Sequence, residues 1–403
     1  MKCVVLAAGE GKRMHPLTFT RPKVMIPVAG KPLLEWNLLN ARKAGLKNII
    51  LIVGYKSETV RNYFGKGEGL GVKIEYINQG RALGTAHAIG LVEKFVDDDF
   101  IVLCGDTIFG IEDIKKIIKK DEASIGLVKV ENASDYGCVD LKGTRVTRIN
   151  EKIDTPTSNI INAGIYRFDK KIFKYIKKTG RSIRGEFEIT DSINMLVKKE
   201  KMNGVLIKEW NDIVYPWHLL RLNEEILKKI RKKIEGEIER NVTIKGDAII
   251  NRNTRIMNGT YIEGPVIIGE NCKIGPNCYI RPYTTIGDNC HVGNACEIKN
   301  TIIMTGSNIP HQNYVGDSII GENCNLGAGT KVANLRLDKR EIKVILDGKN
   351  IDTKLRKLGV IMGDNVQTGI NSMINTGTII GNNVFIGPGT LVKGYIEPNS
   401  RII

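Results

Sequence analysis

Glutamine is nearly missing from this 403-residue chain: it stands only at Gln79, Gln312 and Gln367, and histidine occurs five times. So little glutamine beside abundant Lys, Ile and Glu leans toward a heat-adapted source. Long apolar runs are lacking as well. The first, residues 4–8, follows a single lysine, too short for a signal-peptide core and far too short to span a bilayer. A cytoplasmic protein without a membrane partner is expected. Nor is there a block of one charge. The formal charge is +16, yet 60 Lys and Arg are interleaved with 44 acids, so no nucleic-acid partner is expected. The 42% hydrophobic content over this length is enough for two or three domains, each with its own core.

Two common phosphate loops are absent too. Gly9-Glu10-Gly11 follows an apolar strand-like run, where glycines allow close backbone approach and the N–H groups favour anions. A dinucleotide fingerprint would need glycine where Met14 stands, and a P-loop would need Lys-Ser or Lys-Thr where Lys12-Arg13 stands. What is present is Arg13 and Lys23, with Pro16, Thr18, Pro22 and Pro27 stiffening the path. A forked donor and a point charge on a rigid loop suit a polyphosphate.

Up to about Asn223 short Val/Ile/Leu runs bounded by Gly or Asp alternate with helical segments. Such runs read as strands buried on both faces, hence a parallel, doubly wound, Rossmann-like α/β domain over residues 1–223, with ligands beyond the carboxyl ends of the strands. Residues 216–235 have helical apolar spacing and dense charge and read as a solvent-facing helix. A helical linker over 224–240 is expected to join the next domain, 241–403.

There the grammar changes. An aliphatic residue recurs every sixth position from Ile244 through Ile298, and the phase returns at Ile320, Leu326 and Val332 and from Ile374 to Val392. Glycine often follows, as at Gly269, Gly287 and Gly381, where a sharp corner needs a residue without Cβ. Hexads coil into a parallel β-helix, three of them making a turn of roughly 18 residues. The pattern resembles the left-handed β-helix of hexapeptide-repeat acyltransferases, which implies a homotrimer. Cys272, Cys278, Cys290, Cys296 and Cys324 share the slot four residues after a repeat aliphatic. Cys290 should stack on Cys272 and Cys296 on Cys278, one strand spacing apart. In a cytosolic chain these are expected to be reduced, buried thiols. The hexad register breaks over 301–319, which holds His311, and over 333–361. A neutral imidazole on an excursion from the solenoid can take a proton from an amine attacking a thioester.

The segments "LAAGEGKRMHPLT", "RPKVMIPVAGKPLLEW", "NQGRALGTAHAI", "LCGDTIF", "DYGCV", "NEK", "INAGIY" and "WNDI" together resemble the signature of sugar-1-phosphate nucleotidylyltransferases, over residues 1 to about 220 and in family order. The resemblance implies that Leu6, Ala8, Gly9, Gln79, Gly84 and Thr85 frame the base. Gly11, Arg13 and Lys23 would hold the triphosphate of UTP or dTTP. Tyr136, Gly137, Glu151, Lys152, Asn162 and Gly164 would line a hexose-1-phosphate. Nucleotidyl transfer builds negative charge on the α-phosphate and the leaving pyrophosphate, so a divalent ion with oxygen ligands, Mg²⁺, is expected. Asp106 ends a strand where a ligand belongs, and Asp212 is the natural second. The attacking phosphate is already an anion, so positioning and charge neutralisation carry the step without a general base.

"PHQNYVGDSIIGENCNLGAGT" followed by Asn334 resembles the acetyltransferase half of bifunctional glucosamine-1-phosphate acetyltransferase/N-acetylglucosamine-1-phosphate uridylyltransferases. His311 would then be the general base, Tyr314 and Asn334 would orient glucosamine-1-phosphate or galactosamine-1-phosphate, and Ala328 would make a backbone contact to acetyl-CoA. Residues 335–357 are longer and more charged than the bacterial pattern and look like the archaeal branch, where Lys339 or Lys343 would meet sugar or CoA phosphates. The first reading is therefore an enzyme with both activities. The rival is a monofunctional glucose- or mannose-1-phosphate nucleotidylyltransferase whose β-helix is a scaffold; His311, Tyr314 and Asn334 count against it.

Overall fold

The computed structural model describes residues 1–134, 136–151 and 158–403. The chain divides into two compact units. One comprises residues 1–10, 22–25 and 32–212; the other comprises 11–21, 26–31 and 213–403.

The first unit is built on one twisted sheet. Strand order is Lys73–Asn78, Asn48–Val53, Lys2–Ala7, Phe100–Cys104, Ile160–Phe168, Ser124–Lys129, Asn203–Leu206, Arg145–Glu151 and Gly137–Lys142. The first four strands are parallel and most of their Val, Ile and Leu side chains are buried, Leu6 and Ile77 being partly so, as continuous apolar runs require. Beyond Phe100–Cys104 the sheet becomes mixed. Ile160–Phe168 runs antiparallel to both neighbours, and Gly137–Lys142 and Arg145–Glu151 form a hairpin turning at Gly143, φ +63°. One core cluster lies around Val5, Leu38, Leu51 and Leu103, and another around Val4, Ile52, Phe100 and Ile193.

The second unit is the expected β-helix. Three parallel sheets stack coil on coil, with Ile249 opposite Ile267 and Ile256 opposite Ile274, eighteen residues on. The repeat aliphatics and five cysteines fill its interior. All eight cysteines are free thiols.

Three local expectations change. Residues 301–319 are not an excursion. The aliphatics run Ile298, Ile303, Ile309, Val315 and Ile320, and Ile286 pairs with Ile303, Val292 with Ile309, and Ile298 with Val315. Two five-residue steps shift the phase while the coil continues, and His311 ends the rung strand Asn308–His311. Only the second break is an excursion, carrying the antiparallel hairpin Lys343–Leu346/Lys349–Asp352.

The corner glycines are needed for their missing Cβ, as expected, but through close approach of the next coil rather than through a left-handed turn of their own. Gly269, Gly287 and Gly381 do not take positive φ; a Cβ there would come within 2.8 Å of the next coil. The left-handed residue is the asparagine two positions later, Asn271, Asn289 and Asn383, with φ between 56° and 59°, a conformation asparagine tolerates. Finally, the helix of 216–235 spans only His218–Leu227, and rung strands already occupy Lys233–Ile234 and Glu237–Ile238. Its buried face includes Asn223, whose amide donates to the Tyr283 carbonyl at 2.8 Å and whose Oδ1 accepts from Thr285. This face of the helix is therefore docked on the solenoid rather than turned to solvent. Among the described residues no helix is long and apolar enough to cross a membrane.

Candidate functional site

In the first unit, strand Lys2–Ala7 leads into Ala8 and Gly9. The Leu6 carbonyl accepts from the Gly105 N–H at 2.9 Å and the Ala8 carbonyl from the Tyr55 N–H at 3.2 Å. A Cβ on Gly9 would meet nothing within 4 Å, so the strand end is held by its neighbours while the backbone at Gly9 stays open to approach. Gln79 Nε2 donates to the Gly84 carbonyl at 3.0 Å and faces His87 Nδ1 at 3.2 Å. Gly84 has φ +108°, and a Cβ there would strike the Phe187 backbone at 2.5 Å. Thr85 Oγ1 accepts from the Ile189 N–H at 2.9 Å.

Asp106 follows strand Phe100–Cys104 and immediately precedes Thr107–Phe109. That short strand pairs antiparallel with Trp210–Asp212, placing Asp212 opposite Thr107. Both carboxylates lie near Cys104: burial pushes this thiol well above its ordinary range, the charges of Asp106 and Asp212 add to the rise, and Lys23 opposes it. Lys23 Nζ donates to Asp106 Oδ2 at 2.7 Å. Two carboxylates beside a thiol that stays protonated offer hard oxygen donors, the set that suits a magnesium ion completed by water and phosphate oxygens. Among the described residues no group of three or more His, Cys, Asp and Glu side chains converges on one point.

On the hexose-phosphate side, Glu151 pairs with Gly137, and a Cβ on Gly137 would lie 2.9 Å from Glu151 Oε2. Strand Ile160–Phe168 shifts register against its neighbour between Asn162 and Tyr166, the kind of bulge that re-aims side chains. Within it Asn162 donates to the Tyr166 hydroxyl at 2.7 Å and accepts from the Gly164 N–H at 3.0 Å. Gly164 has φ +81°, and a Cβ would meet Cys104 Sγ at 2.7 Å. Trp210 Nε1 donates to the Ala163 carbonyl at 2.9 Å, and its ring meets Tyr136 edge-on at 5.6 Å. Lys152 lies outside the described residues. Gly11 and Arg13 belong to the second unit. Gly11, φ +76°, precedes the turn Lys12–Met14, and its carbonyl accepts from the Met14 N–H at 2.9 Å and from Thr18 Oγ1 at 3.0 Å. Arg13 is exposed.

The second unit gathers a polar cluster around Tyr314. Asn334 Nδ2 donates to the Tyr314 hydroxyl at 3.2 Å and also to Asp317. Asp317 is 4% exposed and accepts from Lys299 Nζ at 2.9 Å and Asn300 Nδ2 at 2.8 Å. A Cβ on Gly316 would crowd Asn334 Nδ2 at 2.7 Å and the Tyr314 hydroxyl at 2.8 Å, so glycine is what lets the two side chains meet. Burial, foremost, raises the Tyr314 pKa, keeping its hydroxyl a donor at neutral pH. His311 stands exposed at the end of its strand, opposite Asn294 on the preceding coil. Its carbonyl accepts from the Gly329 N–H at 2.9 Å.

Ala328 is half-buried at a corner, its carbonyl taken by the Asn371 N–H at 2.7 Å. Asn334 sits at the root of the excursion, where its carbonyl accepts from Leu358 N–H at 3.0 Å and Leu335 bridges to Lys357. Lys339 and Lys343 line a cleft of about 820 Å³ in this excursion together with Arg336, Arg340 and Arg356.

Residues 2–229 match the nucleotidyl transferase family, residues 262–345 the GMPPB C-terminal domain, and residues 359–394 the bacterial transferase hexapeptide repeats. Over the whole chain it is 44% identical to the bifunctional protein GlmU of Methanocaldococcus jannaschii, covering 97% of that protein. The chain belongs to the bifunctional sugar-1-phosphate nucleotidylyltransferase/acetyltransferase family. A bifunctional sugar-1-phosphate nucleotidylyltransferase/acetyltransferase of Sulfurisphaera tokodaii is 43% identical, covering 98% of this chain and 99% of its own. A Bacillus anthracis protein described as a glucose-1-phosphate thymidylyltransferase superposes on 58% of this chain and 97% of its own, at TM-score 0.53 and 31% identity. The monofunctional alternative is not favoured: this is a transferase with a nucleotidyl half and an acyl half.

Within that bifunctional frame, sequence reasoning missed several residues. Asn37 is fully buried, and its Nδ2 donates to the carbonyls of Cys104, Gly105 and Thr107 at 3.3, 3.2 and 2.6 Å. It thereby cradles the backbone around Asp106. Asp317, Lys299 and Asn300 were also missed. The only signal for the first was its place in "YVGDS"; the other two carry none, since their role depends on the coil above.

Proposed function

We propose that the β-helix half acetylates glucosamine-1-phosphate, or galactosamine-1-phosphate, from acetyl-CoA. The α/β half then couples the N-acetylated sugar phosphate, or another hexose-1-phosphate, to UTP or dTTP and releases pyrophosphate. The Tyr314–Asn334–Asp317–Lys299 cluster beside the His311 strand carries this reading, because a mere scaffold has no use for a buried, charge-linked polar group spanning successive coils. Tyr314 and Asn334 orient the amino sugar phosphate, held in turn by Asp317. His311 takes the proton as the amine attacks the thioester carbonyl; the C–N bond forms, the C–S bond breaks and CoA leaves as thiol. The Ala328 backbone and the cations Lys339 and Lys343 take acetyl-CoA.

In the other half, Leu6, Ala8, Gly9, Gln79, Gly84 and Thr85 frame the base, while Gly11, Arg13 and Lys23 hold the triphosphate. Tyr136, Gly137, Glu151, Lys152, Asn162 and Gly164 position the sugar phosphate, whose oxygen attacks the α-phosphorus as pyrophosphate leaves. Asp106 and Asp212 would hold Mg²⁺, which supplies neutralisation of the charge that builds on the phosphates. Arg13 and Lys23 share that task through direct contacts. The hexapeptide repeats support a homotrimer.

The test is free-thiol release from acetyl-CoA on adding glucosamine-1-phosphate, with His311→Ala as control. Histidine-dependent release is expected. Absence of release, from protein that still forms a UDP- or dTDP-sugar with Mg²⁺, would leave the β-helix as scaffold.

A further inference from the structure

The segment 11–21 carries two of the residues assigned to the triphosphate, yet it packs within the second unit. Three of its side chains are buried: Met14, Leu17 and Thr18 are at most 1% exposed. Its far end closes on a buried ion pair. Arg21 is 5% exposed and Asp364 3%. Arg21 Nη2 reaches Asp364 Oδ2 at 2.5 Å and Glu322 Oε2 at 3.1 Å, Nη1 reaches Met304 Sδ at 3.1 Å, and Thr20 Oγ1 donates to the same Asp364 oxygen at 2.5 Å. Met304, Glu322 and Asp364 follow Ile303, Ile320 and Met362, which stack on three successive coils. One guanidinium is thus seated across three rungs.

A solenoid corner does not require this. Asp288 occupies the corresponding corner of an earlier coil, and there its Oδ1 accepts from the Glu270 N–H at 2.7 Å. Asp364 makes the same structural bond, Oδ1 to the Glu322 N–H at 2.8 Å, and devotes Oδ2 to the segment. Arg21 is followed by Pro22, whose φ is fixed by its ring, and then by Lys23, which pairs with Asp106 at 2.7 Å. The anchor therefore lies two residues, one of them stiff, from a triphosphate cation.

We infer that Arg21 and Asp364 are positioning residues for nucleotidyl transfer: a carboxylate of the β-helix holds the triphosphate segment in its binding geometry. The inference rests on the assignment of Gly11, Arg13 and Lys23 to the triphosphate. A buried pair that loses one partner leaves an uncompensated charge. Loosening one end of a substrate-positioning loop by an ångström costs up to about a hundredfold in rate.

The test uses the full chain with two gentle variants. Asp364→Asn keeps an oxygen for the Glu322 N–H and removes the charge; Arg21→Lys keeps the charge and removes the fork. Steady-state kinetics with Mg²⁺ and UTP or dTTP against N-acetylglucosamine-1-phosphate should show KM for the nucleotide raised about tenfold in both variants. KM for the sugar phosphate and acetyl-CoA-dependent thiol release should stay within about twofold of wild type, as expected of sites that Asp364 does not touch. Unchanged nucleotide KM in either folded variant overturns the inference. So does a parallel fall of both activities with the melting temperature, which would reduce the pair to a structural role. Failure of the underlying assignment looks different: Arg13→Ala would then leave the nucleotide KM of the otherwise wild-type chain unchanged.

Discussion

At the scale of single residues, the chemistry depends on side chains whose partners are backbone groups or buried charges. Asn37 is the clearest case, since it touches three carbonyls flanking Asp106 and no assigned substrate residue. Asn37→Ala should lower nucleotidyl transfer by about ten- to a hundredfold and raise the Mg²⁺ concentration for half-maximal rate, as loss of ligand-orienting groups does. Acetyl transfer in the same preparation should be unaffected, which a coupled assay of both reactions checks.

His291 supplies a pH dependence. Burial, then the nearby charges of Lys273 and His311, depress its pKa below the ordinary value. The unfolded chain thus binds the proton more readily than the folded one. Stability from keeping this imidazole neutral is complete above the unfolded pKa of about 6.5 and is lost as pH falls through it toward the depressed value. Melting temperature should therefore drop between pH 7 and pH 5, and His291→Gln should shrink that drop.

At the scale of elements, the β-helix places chemistry through coil stacking. Tyr314 sits in register with Glu297 below and Lys331 above, while Lys299 and Asn300 reach Asp317 from the coil beneath. The excursion hairpin is the one element that leaves the coil near this cluster, and its cleft is lined by Arg336, Lys339, Arg340, Lys343 and Arg356 against Glu341 and Asp352. Lys339→Ala with Lys343→Ala should raise KM for acetyl-CoA about tenfold while leaving KM for glucosamine-1-phosphate within about twofold, because fixed cations act on phosphate-bearing ligands. A rise for glucosamine-1-phosphate alone would move these lysines to the sugar phosphate. The six-residue period made most of this solenoid legible, since each interior position demands an aliphatic side chain. It misled at 301–319, where two five-residue steps look like a break but only rephase the coil. Period counts positions, whereas stacking needs only that an aliphatic face inward.

At the scale of the molecule, two activities in one chain should be separable by mutation. Asp106→Ala should abolish nucleotidyl transfer and spare acetyl transfer, and His311→Ala should do the reverse. Loss of both in either folded variant would refute independent sites. The Arg21–Asp364 anchor refines this picture, because a β-helix residue then tunes the nucleotide KM without touching acetyl transfer.

The amino-acid sequence by itself determined both folds, the order of the motifs and the chemical class. Apolar runs and hexads specify which faces are buried, and short motifs place their own residues within a few positions of one another. Tertiary structure alone decided that Asn37 meets the carbonyls around Asp106, that Lys299, Asp317 and Asn334 form one cluster, and that Arg21 closes on Asp364, 343 residues away. Burying an apolar side chain needs only a nonpolar surrounding, so it leaves a periodic trace in the sequence. Satisfying a buried polar or charged group needs one particular partner at hydrogen-bond distance, and only the folded chain brings that partner within reach.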